Sequence, residues 1–106
     1  MKRGWCYILR CADGSYYTGV TSNPERRMSQ HHSGYYRGYT LLRRPLELVW
    51  IQEFPSISQA IRAERQIKGW SRKKKEALMR GDFESLHELA QSKEMRERRS
   101  RRKGWV

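Results

Sequence analysis

Acidic side chains are scarce in this sequence. Eleven Asp and Glu face 23 Lys and Arg over 106 residues, a formal net charge of +12. A surface so poor in negative charge concentrates polyanions, with nucleic acid first, anionic membrane second and acidic protein third. Cysteine is limited to Cys6 and Cys11, five positions apart in what reads as one strand. There they point to opposite faces, well beyond bridging distance, so a disulfide is excluded. No Cys-x-x-Cys pair or Cys/His cluster is present, which argues against zinc, and two free thiols suit a reducing cytosol. Long hydrophobic runs are missing as well. No stretch approaches the ~20 apolar residues of a membrane span, and Met1 to Trp5 leads into too few apolar residues for a signal peptide. The expectation is a soluble, cytoplasmic protein of one domain, since this length leaves no room for a second core.

What is present is aromatic. Four Trp, six Tyr and two Phe argue against wholesale disorder. Trp5 to Cys11 and Tyr16 to Thr21 read as the arms of a hairpin turned at Asp13-Gly14. Two loops are open. A two-residue Asp-Gly turn places Tyr7 and Tyr17 on opposite faces; a three-residue Ala12-Asp13-Gly14 loop with a glycine bulge places them on one face. Asn23-Pro24-Glu25 starts a short polar helix that Gly34 stops. Ser33 to Pro45 reads as a long loop. Leu46 to Phe54 alternates as a third strand, with Leu46, Leu48 and Trp50 on one face. Ser56 opens a helix to about Lys68, Ser71 one ending at Gly81, and Asp82 a last one striped by Phe83, Leu86, Leu89 and Ala90.

The order predicts an α+β fold, a small three-stranded antiparallel sheet flanked by helices: β-β-α-β-α-α plus a C-terminal helix. Residues 1–90 form the domain, and 91–106 a basic C-terminal arm, frayed or disordered. From Lys93 to Lys103 that arm carries seven basic and two acidic residues, 7 − 2 = +5.

Several residues fit this frame poorly. Ile57, Ala60, Ile61 and Ile67 mark the apolar face of their helix, and Glu64 falls on that seam. A carboxylate facing a core needs a cation, donors or a metal. It is a structural ion pair, a side chain bending back to water beside Lys68, or a group with a catalytic or metal-binding role. Gly19 weakens a strand unless something approaches its backbone closely. Arg27 and His31 share one helix face at i, i+4. The loop interleaves Tyr35, Tyr36 and Tyr39 with Arg37, Arg43 and Arg44, mixing stacking surfaces with phosphate contacts.

Taken together, Tyr7, then Tyr17-Thr18-Gly19, then Arg27, His31 and Glu64 within Ala63-Glu64-Arg65-Gln66-Ile67-Lys68 resemble the GIY-YIG endonuclease superfamily, in its small stand-alone branch. Tyr7-Ile8-Leu9-Arg10-Cys11-Ala12-Asp13-Gly14-Ser15, His32-Ser33-Gly34 and Arg44-Pro45 add to the likeness, which covers roughly residues 4 to 80. The first motif departs from the pattern, reading Trp5-Cys6-Tyr7, and keeps only its tyrosine.

The resemblance implies metal-assisted phosphodiester hydrolysis. Glu64 would be the metal ligand, for Mg²⁺ or Mn²⁺, hard cations that a carboxylate with waters and phosphate oxygens suits. Arg27 would stabilise charge on the phosphoryl oxygens. Tyr7 and Tyr17 would orient or deprotonate the attacking water, Tyr7 being the favoured base, with His31 in the proton chain. That role requires both tyrosines on one face. Gly19, the loop residues above, Lys68, Lys73 and Lys74 are the candidate DNA contacts. Single-stranded DNA is the favoured substrate, since the branch is associated with its cleavage, and a monomer in DNA repair the favoured setting. The rivals are an inactive nucleic-acid-binding module on the same fold, for RNA or DNA, and an interaction protein docking through the C-terminal stripe and arm.

Overall fold

The turn after the first strand sets the register of everything that follows. In the computed structural model, which describes residues 2–86, strand β1 (Gly4–Arg10) runs to Cys11, whose N–H bonds the Ser15 carbonyl at 2.8 Å. Gly14 donates to the Cys11 carbonyl at 2.9 Å with φ of +84°, a left-handed conformation that glycine adopts without strain. The loop is therefore the three-residue Ala12-Asp13-Gly14 form. Strand β2 (Tyr16–Thr21) pairs antiparallel with β1, Tyr7 opposite Gly19 and Leu9 opposite Tyr17, which puts both tyrosines on one face.

Helix α1 (Pro24–Ser33) starts at Asn23, whose side chain accepts from the Arg26 N–H at 3.1 Å, and ends at Gly34 in the left-handed conformation. The following loop contains one short 3₁₀ turn, Leu41–Arg43. Strand β3 (Glu47–Phe54) pairs on the other side of β1, giving the order β2-β1-β3. Here the expected alternation is corrected. A register shift between Ile8 and Leu9 sets Trp50 opposite Ile8 but Leu48 opposite Leu9, so Val49 is the extra residue. Leu48 and Trp50 therefore face opposite sides of the sheet, because a bulge reverses the side-chain parity beyond it.

The central strand is buried on both faces, with Cys6, Tyr7, Ile8 and Leu9 wholly inaccessible. Helix α2 (Ile57–Lys68), capped by Ser56, packs on the face bearing Gly4, Cys6 and Ile8. A Cβ at Gly4 would lie 2.7 Å from the Ile57 Cα and 2.8 Å from the Ala60 Cβ, so the helix seats against bare backbone. Tyr7, Leu9, Cys11 and Leu46 form a core cluster on the other face, with Tyr17 and Met28 against it. Both cysteines are free and buried.

The chain divides into two compact units at Gly69 and Trp70, inside the stretch expected as one domain. The second contains helix α3 (Arg72–Arg80), capped by Ser71 and closed by Gly81, and Asp82, which accepts from the Ser85 N–H at 3.1 Å to start a further helical turn. The fold is thus the α+β sheet-and-helix arrangement expected. The Leu89–Ala90 part of the C-terminal stripe and the arm 91–106 lie outside the described residues. Among the described residues no helix is long and apolar enough to cross a membrane.

Candidate active site

Four of the five expected catalytic side chains meet on the α1-facing side of the hairpin. The Tyr7 and Tyr17 ring centroids are 6.3 Å apart, and His31 stands edge-on to both at 5.8 and 5.6 Å. The hairpin register brings the tyrosines together, and the helical spacing of Arg27 and His31 aims both residues at them. Polar as α1 is, His31 is only 1% exposed, so it is not part of a solvated face.

The polar contacts form a chain. The Tyr7 hydroxyl lies 2.9 Å from His31 Nε2, and His31 Nδ1 lies 3.0 Å from Thr40 Oγ1. Arg27 donates to the Val20 carbonyl at 3.4 Å, stacks over the Tyr36 ring at 4.7 Å and lies near enough to Tyr7 for its charge to favour the phenolate. Tyr36 in turn packs on His31 at 4.7 Å between centroids and lies beside Tyr17.

Burial governs the protonation of this cluster. It drives His31 down to about 4, with the charges of Arg27 and His32 acting in the same direction, so the imidazole is neutral at pH 7. Burial pushes the Tyr7 phenol up to about 12, outweighing the Arg27 guanidinium that favours its phenolate. Tyr17 is raised by burial and then by its Tyr7 and Tyr36 neighbours. The resting cluster holds one positive charge, on Arg27, among protonated phenols and a neutral imidazole.

Glu64 arrives from the other side of the sheet. It is 14% exposed on α2, its ion pair with the mostly exposed Lys68 is long at 3.7 Å, and its charge reaches Cys6. Burial and then that carboxylate push the Cys6 thiol up to about 12, which leaves it inert as a nucleophile. Cys6 pairs with Val20, and Val20 is the residue whose carbonyl Arg27 bonds. Glu64 and Arg27 thus approach the same cross-strand pair from opposite faces, at the edge strand β2. Among the described residues no group of three or more His, Cys, Asp or Glu converges. A cation here would rest on the Glu64 carboxylate, with water and substrate oxygens completing its shell. That donor set suits a hard ion. Thr18 Oγ1, buried without a hydrogen-bond partner, is a further oxygen on the face that α2 covers.

The expected DNA contacts separate into groups. The close approach that Gly19 permits comes from Tyr7, whose ring lies over it. Tyr35 is 74% exposed and lines a surface hollow with Gly34, Tyr36 and Arg37. Tyr39 stacks on Tyr17 at 6.1 Å and carries Arg43 over its ring at 3.8 Å. Arg43 also bonds the Asp13 carboxylate at 3.1 Å and the Tyr39 carbonyl at 2.8 Å, latching the loop to the hairpin turn. Arg44 donates to the Leu41 carbonyl at 3.0 Å and the His32 carbonyl at 3.4 Å. Both arginines are engaged in holding the loop, whereas Arg37 is exposed. In the second unit Lys73 is exposed and the Lys74 ammonium sits 4.2 Å over the Trp70 ring. Thr40 was not visible as a site residue in the sequence. It is nine positions from His31 in an irregular loop, where no spacing rule predicts a contact.

Compared with known proteins, the family model of the GIY-YIG catalytic domain matches residues 3–77. The chain is 40% identical over 79 residues to a UPF0213 protein of Staphylococcus saprophyticus, covering 74% of this chain and 96% of that protein. A UPF0213 protein of Natronomonas pharaonis is 47% identical over 75 residues, covering 71% and 88%. Among solved structures, the solution NMR structure of an E. faecalis protein is similar at 39% identity and a TM-score of 0.55, covering 78% of this chain and 88% of that one.

Proposed function

The chain belongs to the GIY-YIG catalytic domain family, alongside the small UPF0213 proteins, and on that premise we propose that it is a divalent-metal-dependent endonuclease that hydrolyses phosphodiester bonds in DNA, single strands preferred. The observation that carries the proposal is the meeting of Tyr7, Tyr17, His31 and Arg27, with Tyr7 hydrogen-bonded to His31, on one face of a hairpin whose register could have separated Tyr7 from Tyr17.

The scissile phosphate sits at the outer edge of β2, between Arg27 and Glu64. Glu64 would hold Mg²⁺ or Mn²⁺, which would supply Lewis-acid neutralisation of the phosphoryl charge. Arg27 contributes a second, fixed positive charge to the same oxygens, a role for which the planar guanidinium is suited. Tyr7, as its phenolate, takes the proton from the attacking water and becomes the neutral phenol as the water oxygen bonds to phosphorus; the bond to the leaving oxygen breaks and that oxygen takes a proton from solvent water. The Arg27 guanidinium favours the phenolate that acts as base, and His31 Nε2, 2.9 Å from the phenolic oxygen, holds it in place. Tyr17, stacked on Tyr39, closes the other side of the water's position. Exposed Tyr35 and Arg37, with Lys68, supply base stacking and phosphate contacts that favour a flexible single strand, and in the second unit Lys73 and Lys74 offer phosphate contacts of their own. The protein acts as a monomer.

One experiment tests this: cleavage of a labelled oligonucleotide, single-stranded and duplex, with Mg²⁺, Mn²⁺ or EDTA, by the wild type and Glu64→Ala. Metal-dependent cutting that disappears in the variant while binding persists supports the nuclease and the role of Glu64. Binding without cutting under any metal overturns it in favour of an inactive nucleic-acid-binding module.

A further inference from the structure

Helix α1 presents two faces, and the mechanism above uses one, through Arg27 and His31. Arg26, Ser29, Gln30 and Ser33 recur at i, i+3, i+4 and i+7 and form a second stripe. With Tyr35 they line a surface hollow of about 440 Å³. Tyr35 also lines the adjoining hollow of about 650 Å³, together with Tyr36 and Arg37, and is the one residue common to both. Both volumes lie in the ~300–1,000 Å³ range of small-molecule sites, enough for a nucleotide. Tyr35 stands 74% exposed between them on a fixed backbone. Its N–H bonds the Ser33 hydroxyl at 3.4 Å, and the Tyr36 N–H bonds the Gln30 carbonyl at 3.1 Å. A ring held out in water gains the fold no burial. Arg26 and Arg37, one in each hollow, are exposed, and among the described residues neither guanidinium has a partner, nor does the half-buried Gln30 amide.

We propose that the two hollows are adjoining nucleotide subsites for a DNA single strand: Tyr35 is the post on which both bases stack, Arg26 and Arg37 hold their phosphates, and Gln30 reads the base in the α1 hollow. Charge sets the class of occupant, since each hollow carries one unopposed guanidinium and no acidic residue lines either. Stacking on an exposed ring needs bases with open faces, which a single strand offers and a duplex does not. Phosphate contacts carry no sequence information, whereas an amide, at once donor and acceptor, distinguishes base edges. The subsites also adjoin the catalytic cluster. Arg26 precedes Arg27, and Tyr35 precedes Tyr36, whose ring packs on His31 at 4.7 Å. The base read by Gln30 therefore lies close to the cut. This rests on the single-strand reading above and deepens it into a preference for a base at one position.

The test is fluorescence anisotropy of the full chain with short fluorescein-labelled dT strands, one central base varied, in EDTA over a series of NaCl concentrations. Tyr35→Ala is expected to weaken every strand on the order of tenfold through lost stacking, and Tyr35→Trp to retain affinity. Arg26→Ala makes the slope of log affinity against log salt shallower by about 0.7, one phosphate contact. Gln30→Ala still binds, and the spread of affinities among the four central bases narrows. Melting curves that match the wild type show that these losses are local. A wild type that binds no single strand overturns the proposal. So does Tyr35→Ala or Arg26→Ala binding as the wild type does, or Gln30→Ala keeping the full spread. The binding changes without cleavage under any metal refute the nuclease reading and leave the subsites standing. Metal-dependent cleavage with binding unchanged in all the variants refutes the subsites and leaves the nuclease.

Discussion

The ring of Tyr7 lies across the backbone of Gly19, so close that a Cβ built on the glycine would sit 2.4 Å from both Cζ and Oη of the tyrosine. Glycine in a strand has an entropic cost, and here it makes room for a phenol that reaches over the neighbouring strand toward the sheet edge. Tyr7 is fully buried and cannot swing away. Gly19→Ala should therefore cost about 1–3 kcal/mol through overpacking, measured by urea denaturation, and should lower cleavage further by displacing the Tyr7 oxygen from His31 and Arg27.

His31 gives the fold an acid sensitivity of known sign. Its value falls from the usual 6.5 to about 4 on folding, so between these two the unfolded chain binds more protons than the native one. Stability is then full above pH 6.5 and declines as pH drops toward 4, by at most ~3 kcal/mol for this residue. Asp13 and Asp82, held below 3.8 by hydrogen bonds from Ser15 and Ser85, act at lower pH and leave that window to His31. Urea midpoints at pH 7.5 and 5 should differ for the wild type and converge for His31→Leu. Parallel slopes would show that the imidazole is protonated in the native state.

The sequence was most legible where chemistry is local. Asn23, Gly34, Ser56, Ser71 and Gly81 mark helix ends through their own caps, and all five do so in the structure. Glu64 betrayed itself by lying on an apolar seam. What was hidden depends on register. The hairpin loop had two solutions of opposite parity, and only Cys11 bonding Ser15 selects between them. The bulge at Val49 has no residue signature, so the faces of Leu48 and Trp50 could not be read. Thr40 and the structural engagement of Arg43 and Arg44 arise from how an irregular loop folds back, which periodicity does not encode.

If Tyr7 is the base, its raised phenol, near 12, leaves almost none of it ionised at pH 7. Single-turnover cleavage should then rise about tenfold per pH unit from 7 to 9, and Tyr7→Phe should lose ~10²–10⁴ in rate. Tyr17→Phe, which removes a hydroxyl but leaves Tyr7 in place, should lose less. A profile already flat at pH 7 would move the base to a group outside the tyrosine pair, or require the phenol to be lowered by several units in the substrate complex.

Two loop arginines that look alike in the sequence should behave oppositely. Arg37 is exposed beside Tyr35 and has no partner among the described residues. Arg43 is fixed by Asp13, the Tyr39 carbonyl and the Tyr39 ring, joining the loop to the hairpin that carries Tyr7 and Tyr17. Arg37→Ala should leave thermal stability unchanged, weaken single-strand binding, and make the slope of log affinity against log salt shallower by about 0.7, the contribution of one lost phosphate contact. Arg43→Ala should lower stability by about 1–2 kcal/mol, since a carbonyl and a carboxylate lose their shared donor, while the salt slope holds. A titration series in NaCl with a melting curve for each variant separates the two. If Arg43→Ala changes the slope and Arg37→Ala does not, the guanidinium on Tyr39 leaves its latch for the phosphate, and the loop rearranges when DNA binds.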